Sequence, residues 1–112
     1  MPGYFELKAA AGGQFMFNLK AGNHETLLTS EPYASKQSAI GGIASVQKNA
    51  SSDERYQRKT ASDKSPYFAL TAANGESIGK SEMYSSVSAM EGGIASVKAN
   101  APSASTKDLT QT

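Results

Sequence analysis

The sequence predicts an α+β fold in which two tandem β-β-β-α-β repeats share one core, with two helices on one face of an antiparallel sheet, and three observations lead there. The hexapeptide Gly-Gly-Ile-Ala-Ser-Val occupies positions 41–46 and returns at 92–97, an offset of 51 that also aligns most of the remaining chain without a gap. Within each copy the apolar period changes from two, the signature of a strand with one buried face, to the three-and-four spacing of a helix. Finally, a copy of about 50 residues buries too little apolar surface to offset its own chain entropy, so the two copies are expected to close on each other.

The elements follow in order. Phe5 and Leu7 alternate with Glu6 and Lys8, which predicts a strand over residues 4–10. Gly12 and Gly13 mark a turn, after which Phe15, Phe17 and Leu19 alternate with Met16, Asn18 and Lys20 in a second strand over 14–20. Asn23-His24 and its counterpart Asn74-Gly75 mark a second turn where positive φ is expected, and a third strand runs over 25–29. The helices carry Ala39, Ile43, Val46 and Ala50 on one stripe, and Val87, Met90, Ile94, Val97 and Ala101 on the other, with Ser35 and Ser86 as N-caps. Glycines inside a helix cost about 1 kcal/mol each relative to alanine, so they call for a reason. At 100° per residue, with Ile43 facing the sheet, Gly42 and Gly93 flank the buried stripe and read as close-approach positions, whereas Gly41 and Gly92 point outward. Residues 54–61 and 105–110 each read as a strand after its helix, dividing the chain into repeats over about 4–52 and 55–110.

Three shared stretches resemble the YegP-like family of small bacterial proteins in its two-copy form. They are the aromatic-x-Leu-x-Ala-x-Asn-x-Glu pattern at 17–25 and 68–76, the Ser-Glu-x-Tyr at 30–33 and 81–84, and the Gly-Ile-x-x-Val at 42–46 and 93–97. The resemblance implies β-β-β-α-β units that merge into a single sheet, with the C-terminal strand of each exchanged into the other. Asn23, Glu31, Tyr33, Gly42 and Ile43, with Asn74, Glu82, Tyr84, Gly93 and Ile94, are then the structural motif of the repeat. The chain departs from the pattern at His24, where the family has glycine. Arg58 and Pro66 stand on the inward register held by Leu7 and Phe15, so the second copy's opening strand is expected at an edge or a bulge. The resemblance implies no activity and no cofactor.

Composition narrows the function classes. At 112 residues, with 38% hydrophobic and 8% aromatic side chains, the chain supports one modest core. Eleven basic against ten acidic residues leave a net charge of +1, which disfavours nucleic acid and anionic membranes as partners of the molecule as a whole. The absence of cysteine excludes disulfides and thiol catalysis, and a single histidine disfavours an all-protein zinc site. No stretch approaches the about 20 apolar residues of a membrane span, and the opening residues lack a basic and an apolar signal region. A cytoplasmic monomer is expected, its two repeats satisfying each other.

Four features could carry chemistry. His24 is the sole imidazole, but Gly75 at the same place in copy two points to a turn requirement rather than a proton carrier. Glu31 and Glu82 would form a carboxylate pair for hydrolysis if the repeat symmetry brought them together, yet Ser-Glu-x-Tyr before a helix is equally a capping and packing element. Residues 55–59, Arg-Tyr-Gln-Arg-Lys, have the composition of a nucleic-acid contact or of a charge-protected edge strand. The sheet face away from the helices displays Met16, Asn18, Lys20, Lys59, Tyr67 and Thr71 as a mixed surface suited to a contact partner. The reading is therefore a non-enzymatic interaction or ligand-binding module without cofactor or metal; nucleic-acid binding through 55–59 and a small hydrolase using Glu31 and Glu82 are the alternatives.

Overall fold

A computed structural model describes residues 3–110. In chain order it comprises β1 (Tyr4–Ala10), β2 (Gln14–Lys20), β3 (Thr26–Ser30), α1 (Lys36–Asn49), β4 (Tyr56–Thr60), β5 (Pro66–Thr71), β6 (Ser77–Lys80), α2 (Val87–Asn100) and β7 (Ser105–Asp108). The strands form one seven-stranded sheet in the order β4-β5-β6-β3-β2-β1-β7. The repeats meet at its centre, where β3 and β6 pair antiparallel through Thr29↔Lys80 and Ser30↔Gly79.

The sheet is mixed rather than antiparallel throughout, because β7 lies parallel to β1 while the other pairings are antiparallel. The reason lies in the 51-residue period. Tyr56 on β4 aligns with Phe5 on β1, so β4 is at once the strand after α1 and the opening strand of the second copy. It pairs only with β5 and forms one edge. The strand after α2 has no third copy to open, so it crosses to the first repeat and covers β1. Each repeat thus gives its last strand to the other.

One core spans both repeats. Phe5, Leu7, Phe17, Leu19, Leu28 and Val46 from the first, and Phe68, Leu70, Ile94 and Val97 from the second, are almost wholly buried in a single cluster. Complete burial of a side chain this size stabilises by about 1.5–3 kcal/mol, and neither copy alone provides the surroundings for it. The helix starts are capped as their sequence predicts: Ser35 Oγ accepts from Ser38 N at 3.1 Å and Ser86 Oγ accepts from Ala89 N at 3.0 Å.

The Ser-Glu-x-Tyr and Gly-Ile motifs of each copy form one interlock. Ser30 Oγ accepts from Phe17 N at 2.9 Å and donates to Glu31 O at 2.8 Å, turning the chain so that Tyr33 pairs through its backbone with Phe15. The Tyr33 ring then stacks on Phe17, with centroids 6.2 Å apart and planes 14° from parallel. Gly42 closes over it: a Cβ there would lie 2.7 Å from Tyr33 Cζ and 2.9 Å from Phe17 Cε2. Copy two repeats this with Ser81, Tyr84, Phe68 and Gly93, the rings 6.3 Å apart at 15°. Pro66 has no N–H, so only Tyr84 N→Pro66 O (2.9 Å) remains of the backbone pair there. A Cβ on Gly41 or Gly92 would meet nothing within 4 Å.

The sheet edges break the symmetry. Leu7, on β1, is covered by β7 and buried; Arg58 holds the same register on the uncovered β4 and is exposed. Its partner changes with it. Glu91 on α2 stands where α1 has Ile40, and it accepts from Arg58 Nε at 2.6 Å and Nη2 at 3.0 Å. Asp53 joins through Arg58 (3.0 Å) and Lys98 (2.8 Å), and these cations hold its carboxyl below the usual range. At the other edge Asp108 on β7 pairs with Lys36 on α1 at 2.7 Å. The counterpart of Lys36 is Val87, which was expected on the buried stripe of α2 but is 62% exposed. Among the described residues no strand lies outside β4 to cover it.

Two outcomes test this packing. Gly41→Ala should be neutral or stabilising by up to about 1 kcal/mol, while Gly42→Ala should destabilise by about 1–3 kcal/mol through overpacking against Tyr33. Equal effects in chemical denaturation would contradict the interlock. Fragments 1–52 and 53–112 should each be largely unfolded alone and regain structure on mixing, because each lacks strands that the other supplies; circular dichroism with thermal melting reads this out.

Candidate ligand groove between the repeats

The turn between β2 and β3 is drawn tight by its own backbone, with Ala21 N→Glu25 O and His24 N→Ala21 O both at 2.9 Å. Asn23 locks the acid at the end of this turn. Its Oδ1 accepts from Glu25 N at 3.1 Å and its Nδ2 donates to the Glu25 carboxylate at 2.6 Å; Asn74 holds Glu76 the same way at 3.0 and 2.8 Å. This latch presents Glu25 toward the second repeat, where residues 82–85 lead into α2.

Between these walls run two depressions of about 510 and 210 Å³ that share Glu25, Leu27, Tyr84 and Ala89, forming one groove. The larger lobe adds Glu82 and Met83, and the smaller adds Asn23, Gly92 and Ser96. Outward Gly92 therefore has a structural consequence: with no side chain, it leaves the α2 wall open. Tyr84 links interlock and groove. Burial, followed by the negative charges of Glu25 and Glu82, raises its phenol above the ordinary value, so it stays protonated through neutral pH.

Among the described residues no basic one lines either lobe. Among the described residues Glu6, Asp53, Glu54, Glu91 and Asp108 are in ion pairs, whereas Glu25, Glu31, Asp63, Glu76 and Glu82 are in none. The four glutamates among them are the turn and pre-helix acids of the two copies. The repeat exchange sets Glu25 with Glu82, and the symmetry relates to them Glu76 and Glu31.

The geometry corrects three expectations. Glu31 and Glu82 do not form a pair. Antiparallel β3 and β6 send their C-terminal ends apart, placing Glu31 opposite Ile78 (N→O 3.2 Å) and Glu82 four residues further on, about 13 Å at the rise of a strand. The basic stretch is not an open strip: Arg58 is engaged by Glu91 and Asp53, and Arg55 donates to Asn49 Oδ1 at 3.2 Å and pairs with Glu54, leaving Lys59 exposed. The open sheet face is smaller than its alternation suggests. Asn18 is buried, with Nδ2 donating to Thr29 Oγ1 at 2.9 Å. Thr71 is also buried, at a register shift that lets its hydroxyl donate to Arg55 O at 3.0 Å. Polar groups on strands flanked on both sides are covered by neighbours and satisfied within the sheet. Met16 and Tyr67 are half-buried beside Lys8 and Lys59, with β3 and β6 between them, and Lys20 lies 4.0 Å from Glu6.

His24 adopts φ 72° and Gly75 φ 86°, the positive values this turn requires. The His24 Nδ1 hydrogen-bonds the Tyr4 hydroxyl at 2.8 Å beside Ser105 and Lys107, away from the groove. Among the described residues no group of three or more His, Cys, Asp or Glu could hold a metal, and no helix is long and apolar enough to cross a membrane.

A family model described as a domain of unknown function, DUF1508, matches residues 10–57 and again 61–108. The chain belongs to the DUF1508 family. A UPF0339 protein of Bordetella pertussis is 68% identical over 111 residues, covering 99% of each chain. The UPF0339 protein YegP of Escherichia coli K12 is 56% identical over 110 residues, covering 98% of this chain and all of the other. The solution structure of yegP from E. coli superposes with a TM-score of 0.93 at 54% identity, covering all of this chain and 97% of the other. That of a Shewanella oneidensis UPF0339 protein gives 0.92 at 48%, covering 98% and 93%. The family is uncharacterised, and these likenesses carry its fold and tandem architecture to this chain.

Sequence reasoning singled out Tyr84, Gly93 and Asn23 as repeat motif but did not assemble Glu25, Leu27, Ala89 and Ser96 into a site. The signal that pointed there was Gly92, a helical glycine facing outward. The turn reading of His24 has its own test: His24→Gly should be neutral or stabilising by up to about 1 kcal/mol, since relief of the left-handed conformation offsets loss of the exposed Tyr4 contact. A loss above about 1 kcal/mol in urea denaturation would assign His24 a structural role beyond the turn.

Proposed function

We propose that this protein is a non-enzymatic ligand-binding module whose seat is the groove between the β2–β3 turn and α2. The observation that carries the reading is the groove itself, a trough of small-molecule dimensions built jointly by the two repeats. Leu27 and Ala89 contribute apolar surface beside the carboxylates of Glu25 and Glu82 and the Tyr84 hydroxyl, so the trough offers a ligand both apolar contact and polar anchors. A catalytic reading has less support. The sole imidazole lies elsewhere, and the two groove carboxylates have no nucleophile and base within a common hydrogen-bonded arrangement.

Amide chemical-shift mapping of the full chain against the small-molecule fraction of a bacterial extract tests the reading. Perturbations should centre on Leu27, Tyr84, Gly92 and Gly93, and Gly92→Leu, which fills the trough from an open position, should remove them without lowering Tm. Perturbations centred on Met16, Lys59 and Tyr67 would move the site to the open sheet face. Consumption of an extract component, suppressed in Glu82→Gln, would make the protein an enzyme.

A further inference from the structure

We infer that the open face of the sheet binds single-stranded nucleic acid. This surface is separate from the groove, and the inference does not rest on the groove being a ligand seat.

Residues paired in register share a face of the sheet. The pairings run from Lys107 through Glu6, Asn18, Thr29, Lys80 and Ala69 to Gln57 in one row across all seven strands. Two residues along from Glu6, Asn18 and Gln57, Lys8, Lys20 and Lys59 take the same side. All five strand lysines therefore lie on the face away from the helices, one each on β4, β6, β2, β1 and β7. Glu6 is the one acid within the described strands on that face, since Asp108 alternates to the helix side and pairs with Lys36. Five positive charges against one negative leave a net +4 there in a chain of +1, so the even overall balance conceals a polarised molecule. Glu6 is shared by Lys8 at 3.6 Å and Lys20 at 4.0 Å, whereas Lys59, Lys80 and Lys107 are in no ion pair among the described residues. Glu31 and Glu82 lie beyond the strands, at opposite ends of the central pair.

A second observation comes from one corner of this face. Tyr4, His24, Ser105 and Lys107 line a hollow of about 270 Å³: two hydroxyls, an imidazole and an ammonium, with no carboxylate in the lining. Lys20 stands in register with Tyr4 beside it. Such a set receives the oxygens of a phosphodiester, and it includes an imidazole that the turn itself does not require.

Shape selects among polyanions. The face spans about 29 Å from β4 to β7 at the spacing of paired strands, and both helices, the elements that could enter a duplex groove, pack on the other side. Tyr67 is half-buried on β5, between lysine-bearing β4 and β6, and offers a ring on which an unpaired base can stack. An anionic membrane would be served by the lysines alone, with no use for the corner hollow or for a half-buried ring.

The experiment titrates the full chain with a labelled uridine dodecamer between about 50 and about 200 mM salt, read by fluorescence anisotropy and amide shifts. A duplex of the same length and phosphatidylglycerol vesicles are further arms. Log affinity should fall linearly with log salt, and Lys59→Gln, Lys80→Gln and Lys107→Gln should each flatten the slope by about 0.7. Combined, they should weaken binding about ten-fold or more, while Lys48→Gln, the same charge change on α1, leaves affinity and slope as they were. Tyr67→Ala should cost about five-fold or more and Tyr67→Phe should retain binding, because the ring rather than the hydroxyl carries the contact. Shifts should gather at Met16, Tyr67, Lys80 and Ser105 and spare Gly92 and Gly93, which keeps this surface distinct from the groove. The three substituted lysines are exposed, so Tm should hold, and the single variants report the slope even if the triple variant fails to fold. Absence of saturable binding at about 50 mM salt, an equal loss in Lys48→Gln, or a duplex bound as tightly as the single strand would overturn the inference. Vesicles bound while the dodecamer is ignored would also overturn it, and would make the face a membrane surface.

Discussion

The structure depends on a tyrosine–phenylalanine stack closed by a helix glycine, twice over. Tyr33 and Tyr84 stack on Phe17 and Phe68, and the helix backbone comes so close at Gly42 and Gly93 that a Cβ there would crowd the phenol end of the tyrosine and the edge of the phenylalanine at once. This contact sets how closely each helix approaches the sheet and hence which apolar residues reach the shared core. It also explains the spacing of the sequence motifs. Ser-Glu-x-Tyr delivers the ring, the helix cap follows within three residues, and glycine arrives two turns later, above the ring. Each stacked pair contributes about 0.5–1.5 kcal/mol beyond area burial, and forfeiting the close approach would loosen the helix along its length.

A second constraint comes from counting strands. Two repeats of period 51 share the strand between them, so seven strands rather than eight form the sheet and its two edges are unlike. Where β7 covers β1, the inward position is leucine; where β4 lies bare, it is arginine, and the facing helix residue changes from isoleucine to glutamate with it. Ion-paired Arg58 and exposed Lys59 on β4 also blunt an edge that would otherwise invite strand addition. The basic look of residues 55–59 is thus an answer to edge geometry, with Arg58 spent within the fold.

The same exchange creates the groove. Glu25 leaves the first repeat and Glu82 precedes the helix of the second, and only the pairing of β3 with β6 brings them to one trough around Tyr84. Relatives in several bacteria share this chain's architecture at 48–68% identity over nearly its full length, and the family has no established role. A site formed between duplicated units can be absent from either unit alone.

The amino-acid sequence by itself determined the repeat, the element types and their order, the helix caps, the split between close-packed Gly42 and outward Gly41, and the need for positive φ at His24 and Gly75. These are local properties, carried by periodicity and by backbone preferences of single residues. Tertiary structure alone decided that β7 runs parallel to β1, that Glu31 and Glu82 stand apart, that Asn18 and Thr71 are buried, and that Glu25 meets Tyr84. Each depends on which strands become neighbours across a separation of tens of residues. Alternation along a strand tells which face a side chain takes, but what lies beside it on that face is set by strand order and direction.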